Sequence, residues 1–320
     1  MKYKRISLPL LALIFLLSGC AGQSKPVSGD TFAMDSYMQL TAHGPKASAA
    51  VAQALATLGE LDAALSATDE GSEIYAYNQG DTTTLSPATQ ALVDKGLAIG
   101  ERTGGALDIT IYPLVRAWGF TTDAKRVPTQ AEIVALLAAP STQLDLGALG
   151  KGYAGDVLAE QMRDAGVSSA LLTLSGNIHC VGAKPDGSAW KIAIQDPQNA
   201  SAYLGAVSVE NKAVVTSGGY ERCFELDGKT YHHIIDPATG YPAESGLTSV
   251  TIVADSGTLA DGLSTALFVM GLERALAHYE AHQDFEAILV TDDHQVYLTA
   301  GLGSAFELLS GDYELMELLP

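Results

Sequence analysis

The chain is short of positive charge, of cysteine and of the ligand spacings that zinc needs. Lys and Arg number 18 against 37 Asp and Glu in 320 residues, for a formal net charge of −19. A surface of that sign repels phosphate backbones, so nucleic acid is not an expected partner. The three cysteines form no CxxC pair, and no HExxH occurs, which leaves no zinc site to read. Internal repeats and low-complexity blocks are absent as well. What is there is ordinary globular material, with 47% hydrophobic and 17% charged residues. That is enough to bury a sizeable core in one large domain or two closely joined ones.

Residues 1–19 read as a targeting segment. Lys2, Lys4 and Arg5 form a basic start, and "ISLPLLALIFLL" is an apolar stretch too short for a comfortable membrane span. "LLSGC" then ends at Cys20. Small residues before a cysteine at this place resemble a bacterial lipobox, which makes Cys20 the lipidated first residue of a membrane-anchored protein facing the periplasm or the cell exterior. Residues 20–30 read as the lipidated cysteine and a polar tether, and residues 31–320 as one functional domain. Processing removes three cations from a chain of charge −19, leaving about −22. It also leaves Cys180 and Cys223. Export permits a disulfide, but free, buried thiols are the expected state of both.

Helical periodicity fills residues 45–66 and 87–102, the second opened by Ser86-Pro87 and closed by Gly104-Gly105. Pro128-Thr129 opens a short helix through Ala138, and another runs from about Gly150 to Ala165. A strand is expected across "TFAMDSYMQLTA". From 170 to 253 the pattern is short β-type runs broken by Gly, Pro and Asn. One long helix is expected over 258–280, then two strands near 286–290 and 295–299. Helices early and strands late predict an α+β fold, largely antiparallel sheet with packed helices.

Several segments concentrate polar groups. In "GGALDITIYPLVRAWGF" (104–120), Asp108 lies among apolar residues, and by itself the segment reads as a loop with an aromatic plug. In "LDLGALGKGYAGD" (144–156), Asp145 and Lys151 bracket glycines just before a helix. Glycines admit close backbone approach, and helix-start N–H groups favour anions, although the spacing is not that of a Walker loop. "LSGNIHCVG" (174–182) and "VVTSGGYER" (214–222) read as tight turns. "YHHIIDPATGYP" (231–242) carries a good β-turn sequence after His232 and His233, which face opposite ways on a strand.

The run "LADGLSTALFVMG" (259–271) holds Asp261 and Thr265 in apolar company. Spaced i, i+4, their oxygens share one helical face. Solvent exposure, or Thr265 bonding back to its own helix, would account for them. A hard-cation site accounts for them too, because Mg2+ takes oxygen ligands and leaves places for substrate phosphates and water.

Taken in order, these segments resemble the ApbE-type FAD:protein FMN transferase family, from about Phe32 to the end of the chain. "FAMDSYMQL", "GSEIYAYN", "KPDGSAWKIAIQDP" and "HHIIDPATGYP" match along with the glycine-rich and Asp-Thr segments. The resemblance implies a T-fold-like α+β architecture that binds FAD and uses Mg2+ to pass its FMN half to a Thr or Ser hydroxyl, releasing AMP. The acceptor it implies is a target subunit of an exported or membrane redox complex. By motif position, Asp261, Thr265 and the Ala148 carbonyl would hold the metal. Met34, Ala106, Leu107, Asp108, Asp145, Lys151 and Ile234 would contact FAD, with Tyr75 and Trp118 as wall residues. His233 would be the base near the pyrophosphate, and Lys151 would neutralise charge there. The chain departs from the family pattern at Asp35-Ser36, at Ser175 and at Gly219. Two other readings share the same segments: a Mg2+-dependent FAD pyrophosphatase, with water replacing the hydroxyl, and a non-catalytic flavin-binding lipoprotein.

Overall fold

The structure is a computed structural model, and it describes residues 25–122, 124–139 and 141–316. Cys20 and residues 1–19, where lipidation and targeting are expected, lie outside the described residues. In chain order the first elements are β1 (Val27–Ala33), β2 (Ser36–Ala42), α1 (Ala47–Leu65), α2 (Glu73–Gln79), α3 (Pro87–Arg102), α4 (Tyr112–Trp118), α5 (Gln130–Ala138) and α6 (Gly150–Asp164). The strands β3 (Ala170–Leu174), β4 (Asn177–Val181), β5 (Trp190–Asp196), β6 (Asn199–Val209), β7 (Ala213–Gly218), β8 (Cys223–Leu226), β9 (Lys229–His232) and β10 (Leu247–Ala254) follow. The chain closes with α7 (Gly257–Met270), α8 (Leu272–His282), β11 (Glu286–Thr291), β12 (Gln295–Leu298), β13 (Phe306–Leu308) and β14 (Glu314–Leu315).

Nine strands form one sheet in the order β1-β2-β3-β4-β7-β10-β11-β12-β14. Every pairing in it is antiparallel except β12 with β14. The period-2 alternation sorts its side chains. Ala213 and Val215 of β7 face the helices, while Val214 between them joins the layer beneath β5, β6 and β13. Helices α1 and α6 cover β1–β4 through Leu58, Leu158 and Met162, all closed to solvent. Helix α7 lies across β7 and β10. The three-layer α+β architecture, largely antiparallel, is the one expected.

Local signals explain most element ends. Ser86 Oγ accepts from Thr89 N–H to cap α3, and Thr129 with Glu132 forms a full capping box on α5. Three expectations give way: the segment 104–120, which reads as a loop, contains α4, started by Pro113 in its first turn. The strand over 31–42 is a hairpin that reverses at Met34-Asp35, both at positive φ (49° and 56°), with Met34 N–H held by Asp62 Oδ1 at 2.9 Å. The single helix over 258–280 is two, because Gly271 takes φ 76° and ψ 173° between α7 and α8. A side chain there would meet the Ser245 carbonyl at 2.9 Å. Both cysteines are free; Cys180 is buried as expected, but Cys223 is exposed on the β8–β9 hairpin.

Candidate active site

A cavity of about 1040 Å³ opens where the β1–β2 hairpin, the start of α6, the middle of α7 and the base of the β8–β9 hairpin converge. That size exceeds an ordinary small-molecule cleft. Met34, Ala106, Leu107, Asp108, Asp145 and Ala148 line it. So do Lys151, His233, Ile234, Asp261 and Thr265. Residues spread over more than 200 positions of sequence are thus brought to one space.

Two named positions do not reach it. Trp118 is fully buried. Its indole N–H donates to the Gly240 carbonyl at 2.8 Å, and its ring packs with Phe120, Tyr231 and Tyr241. It therefore stands behind the wall that Phe120 forms. Tyr75 sits in the first turn of α2, where its backbone N–H is taken by the Ser72 cap, and it is not a lining residue.

Asp261 is buried, and burial pushes its carboxyl pKa up, with the Lys151 ammonium the strongest influence pulling it back down. Gly152 N–H donates to Oδ2 at 2.8 Å, and the Asn177 side chain beside the carboxylate also favours its charged form. Gly152 is the third residue of α6, so its N–H is one of the helix-start donors that no carbonyl inside the helix takes. Ala148 precedes the helix, and among the described residues no backbone N–H donates to its carbonyl. Thr265 Oγ1 meets Ser217 Oγ at 3.3 Å. A buried carboxylate, a hydroxyl one turn on and a carbonyl without a helical partner make an all-oxygen donor set that fits a hard cation.

His233 follows β9. Its backbone N–H and its ring Nδ1 both approach the Arg222 carbonyl, at 3.0 and 3.2 Å. A carbonyl only accepts, so Nδ1 carries the proton and Nε2 the lone pair. Burial first, then the cations Arg222 and Lys151, lower its pKa to about 3. The imidazole is neutral at physiological pH. Asp145 accepts from Gly147 N–H at 2.8 Å, and burial raises its pKa against the field of Arg222. Asp108 holds Thr110 through its N–H and hydroxyl, both at 2.7 Å. Lining residues that the sequence reading left as simple turns are Asn177, Ser217, Glu221 and Arg222. Their signal was present in "LSGNIHCVG" and "VVTSGGYER", whose glycines bring polar residues to strand ends.

Fold and cavity together define an α+β ligand-binding protein whose deep polar site pairs a buried carboxylate with a lysine. The chain belongs to the ApbE family, whose sequence pattern matches residues 34–289. It is 34% identical over 303 residues to a Klebsiella pneumoniae protein named FAD:protein FMN transferase, covering 83% of this chain and 87% of that one. A protein of the same name from Escherichia coli K12 is 31% identical, covering 85% and 88%. Among solved structures, the ApbE protein of Thermotoga maritima superposes with a TM-score of 0.77 at 28% identity, covering 89% of this chain and 97% of that one. The flavinyl transferase ApbE of Pseudomonas stutzeri gives 0.74 at 32% identity, covering 84% and 92%.

Proposed function

We propose that this protein is a Mg2+-dependent FAD:protein FMN transferase. It moves FMN from FAD to a Thr or Ser hydroxyl of an exported or membrane redox protein and releases AMP. The observation that carries this reading is the meeting, in one cavity, of a neutral imidazole at His233, the Lys151 ammonium and the oxygens of buried Asp261 and half-buried Ala148 and Thr265. The relatives' names supply the reaction class.

Mg2+ held by Asp261, Thr265 and the Ala148 carbonyl would offset the charge of the pyrophosphate. His233 Nε2 takes the acceptor's hydroxyl proton. The freed oxygen bonds to the flavin-side phosphorus, and the bond from that phosphorus to the bridging oxygen breaks. AMP leaves with the bridging oxygen. Lys151 lies close enough to Asp261 and Glu221 to act on both carboxyls, and from there it stabilises negative charge that develops between the phosphates. Met34, Leu107 and Ile234 give the cavity apolar wall on which a flavin can rest.

The test is to incubate the protein with FAD, Mg2+ and a Thr-bearing acceptor domain. The acceptor should gain the mass of an FMN phosphoester. Asp261→Ala should lose the Mg2+-dependent reaction and keep its fold. Free FMN and AMP with an unmodified acceptor would support the pyrophosphatase instead. Tight FAD binding without AMP at any Mg2+ concentration would support a flavin-storing protein.

The lipobox-like "LLSGC" supports a lipid anchor at Cys20 that holds the enzyme at the membrane, where exported flavoprotein domains emerge. Among the described residues no helix is long and apolar enough to cross a membrane. Cys20→Ser should move the protein from the membrane fraction to the soluble one. Unchanged membrane retention would reject the anchor.

A further inference from the structure

Helices α6 and α7 bring the two halves of the charged site, Lys151 on one and Asp261 with Thr265 on the other. They are joined at two places. The first is the bond from Gly152 N–H to Asp261 Oδ2. The second lies four residues along each helix, hence one turn away. There Asp156 of α6 receives four hydrogen bonds from the start of α7. Gly257 N–H donates to Oδ1 at 2.6 Å. Thr258 N–H, Thr258 Oγ1 and Ser256 Oγ donate to Oδ2 at 2.9, 2.8 and 3.0 Å.

The space between the helices is filled to the limit. A side-chain carbon on Gly152 would stand 2.2 Å from the Gly257 carbonyl. The buried His179 ring of β4 wedges into the same joint. A carbon on Gly155 would fall 1.9 Å from its Nε2, and one on Gly257 would fall 2.0 Å from its Cε1. His179 Nδ1 is 3.8 Å from Asp156 Oδ1, and its Nε2 has no hydrogen-bond partner. Asp156 does not line the cavity that holds Lys151 and Asp261; it borders a smaller one on the other side of the joint, with His179 and Ser256. A helix start can be capped by a side chain of its own, and Ser256 already does this by accepting from Leu259 N–H. A carboxylate from another helix that takes four donors does more than cap: it fixes where α7 begins relative to α6.

We infer that Asp156 is a positioning residue. It clamps the start of α7 to α6 and so sets Asp261 and Thr265 at the separation from Lys151 and Ala148 that a divalent cation requires. The inference rests on the Mg2+ reading above. Supporting groups of this kind are typically worth 10–100-fold in metal affinity.

The experiment is Mn2+ binding to the full chain without FAD, followed by electron paramagnetic resonance, with FAD binding in EDTA measured alongside. Asp156→Ala should weaken Mn2+ by about tenfold or more and leave metal-free FAD binding nearly unchanged. Asp156→Asn, which keeps one acceptor oxygen, should fall between it and the wild type and covers the case in which the alanine variant does not fold. Ser256→Ala, which removes α7's own cap but only one of the four donors to Asp156, should lose clearly less Mn2+ affinity than Asp156→Ala. Wild-type Mn2+ affinity in both Asp156 variants overturns the clamp, as does an equal loss in Ser256→Ala. A wild-type protein that binds no Mn2+ overturns the metal reading, and the inference with it.

Discussion

At the scale of single residues, the question is what stands against the charge of Asp261 in so apolar a helix. Lys151, the Gly152 N–H and the Asn177 side chain compensate it, and burial outweighs them, since the carboxyl pKa remains raised. A buried carboxylate left in that state is a place for a cation rather than a finished ion pair. His233 is tuned in the opposite sense. Its pKa of about 3 keeps Nε2 free to accept a proton. His233→Ala should lower kcat by about 10²–10⁴-fold and change FAD affinity little. The acid limb of kcat/KM, which reports the free enzyme, should lie well below pH 6.5, whereas that of kcat should lie higher, because a bound pyrophosphate favours the imidazolium. An unchanged rate would move attention to His232. Of this the sequence showed the residue types and their order. It could not show that Arg222 and Lys151 surround the imidazole, since three separate segments supply that environment.

At the scale of elements, the site depends on side chains that do not line it. Trp118 closes α4 against the turn at 236–242 through its bond to the Gly240 carbonyl and anchors the small core shared by Leu114, Ile133 and Ile235. Trp118→Phe keeps most of the packing but strands that carbonyl, at a cost of about 1–3 kcal/mol. Thermal or denaturant unfolding should show the loss, with KM for FAD little changed. A large rise in KM would return Trp118 to the wall of the cavity. Element ends carried by local chemistry were legible in advance: Ser86 with Pro87, Pro128 with Thr129, and the glycine pair after α3. The reversal at Met34-Asp35 was not, because neither residue announces positive φ. It is held by Asp62, on α1, through a bond that no local pattern encodes. The break at Gly271 could be suspected from the glycine alone, but what makes it necessary is the carbonyl of Ser245, 26 positions earlier.

At the scale of the molecule, histidines buried far from the cavity tie stability to pH. His278 on α8 accepts from Arg102 Nε–H at 3.3 Å, and Arg102 is in turn paired with Asp284 at 2.6 Å. Burial first, then the neighbouring His282 and Arg102, lower its pKa from 6.5 to about 4. The unfolded chain therefore binds more protons than the folded one between those values, and the contribution to stability is lost as pH falls from 6.5 through about 4. The melting temperature of the wild type should drop across that window, and His278→Gln should drop less steeply; parallel curves would remove His278 from the account. By itself the sequence determined the α+β class, most helix ends, the acidic surface and the chemical inventory of the site, because periodicity, capping and residue type are local properties. Only the tertiary structure decided which polar residues share one cavity, which way each ring points and how closely α6 meets α7. Those outcomes depend on contacts between segments far apart in the chain, where the shape of one surface sets what the other can do.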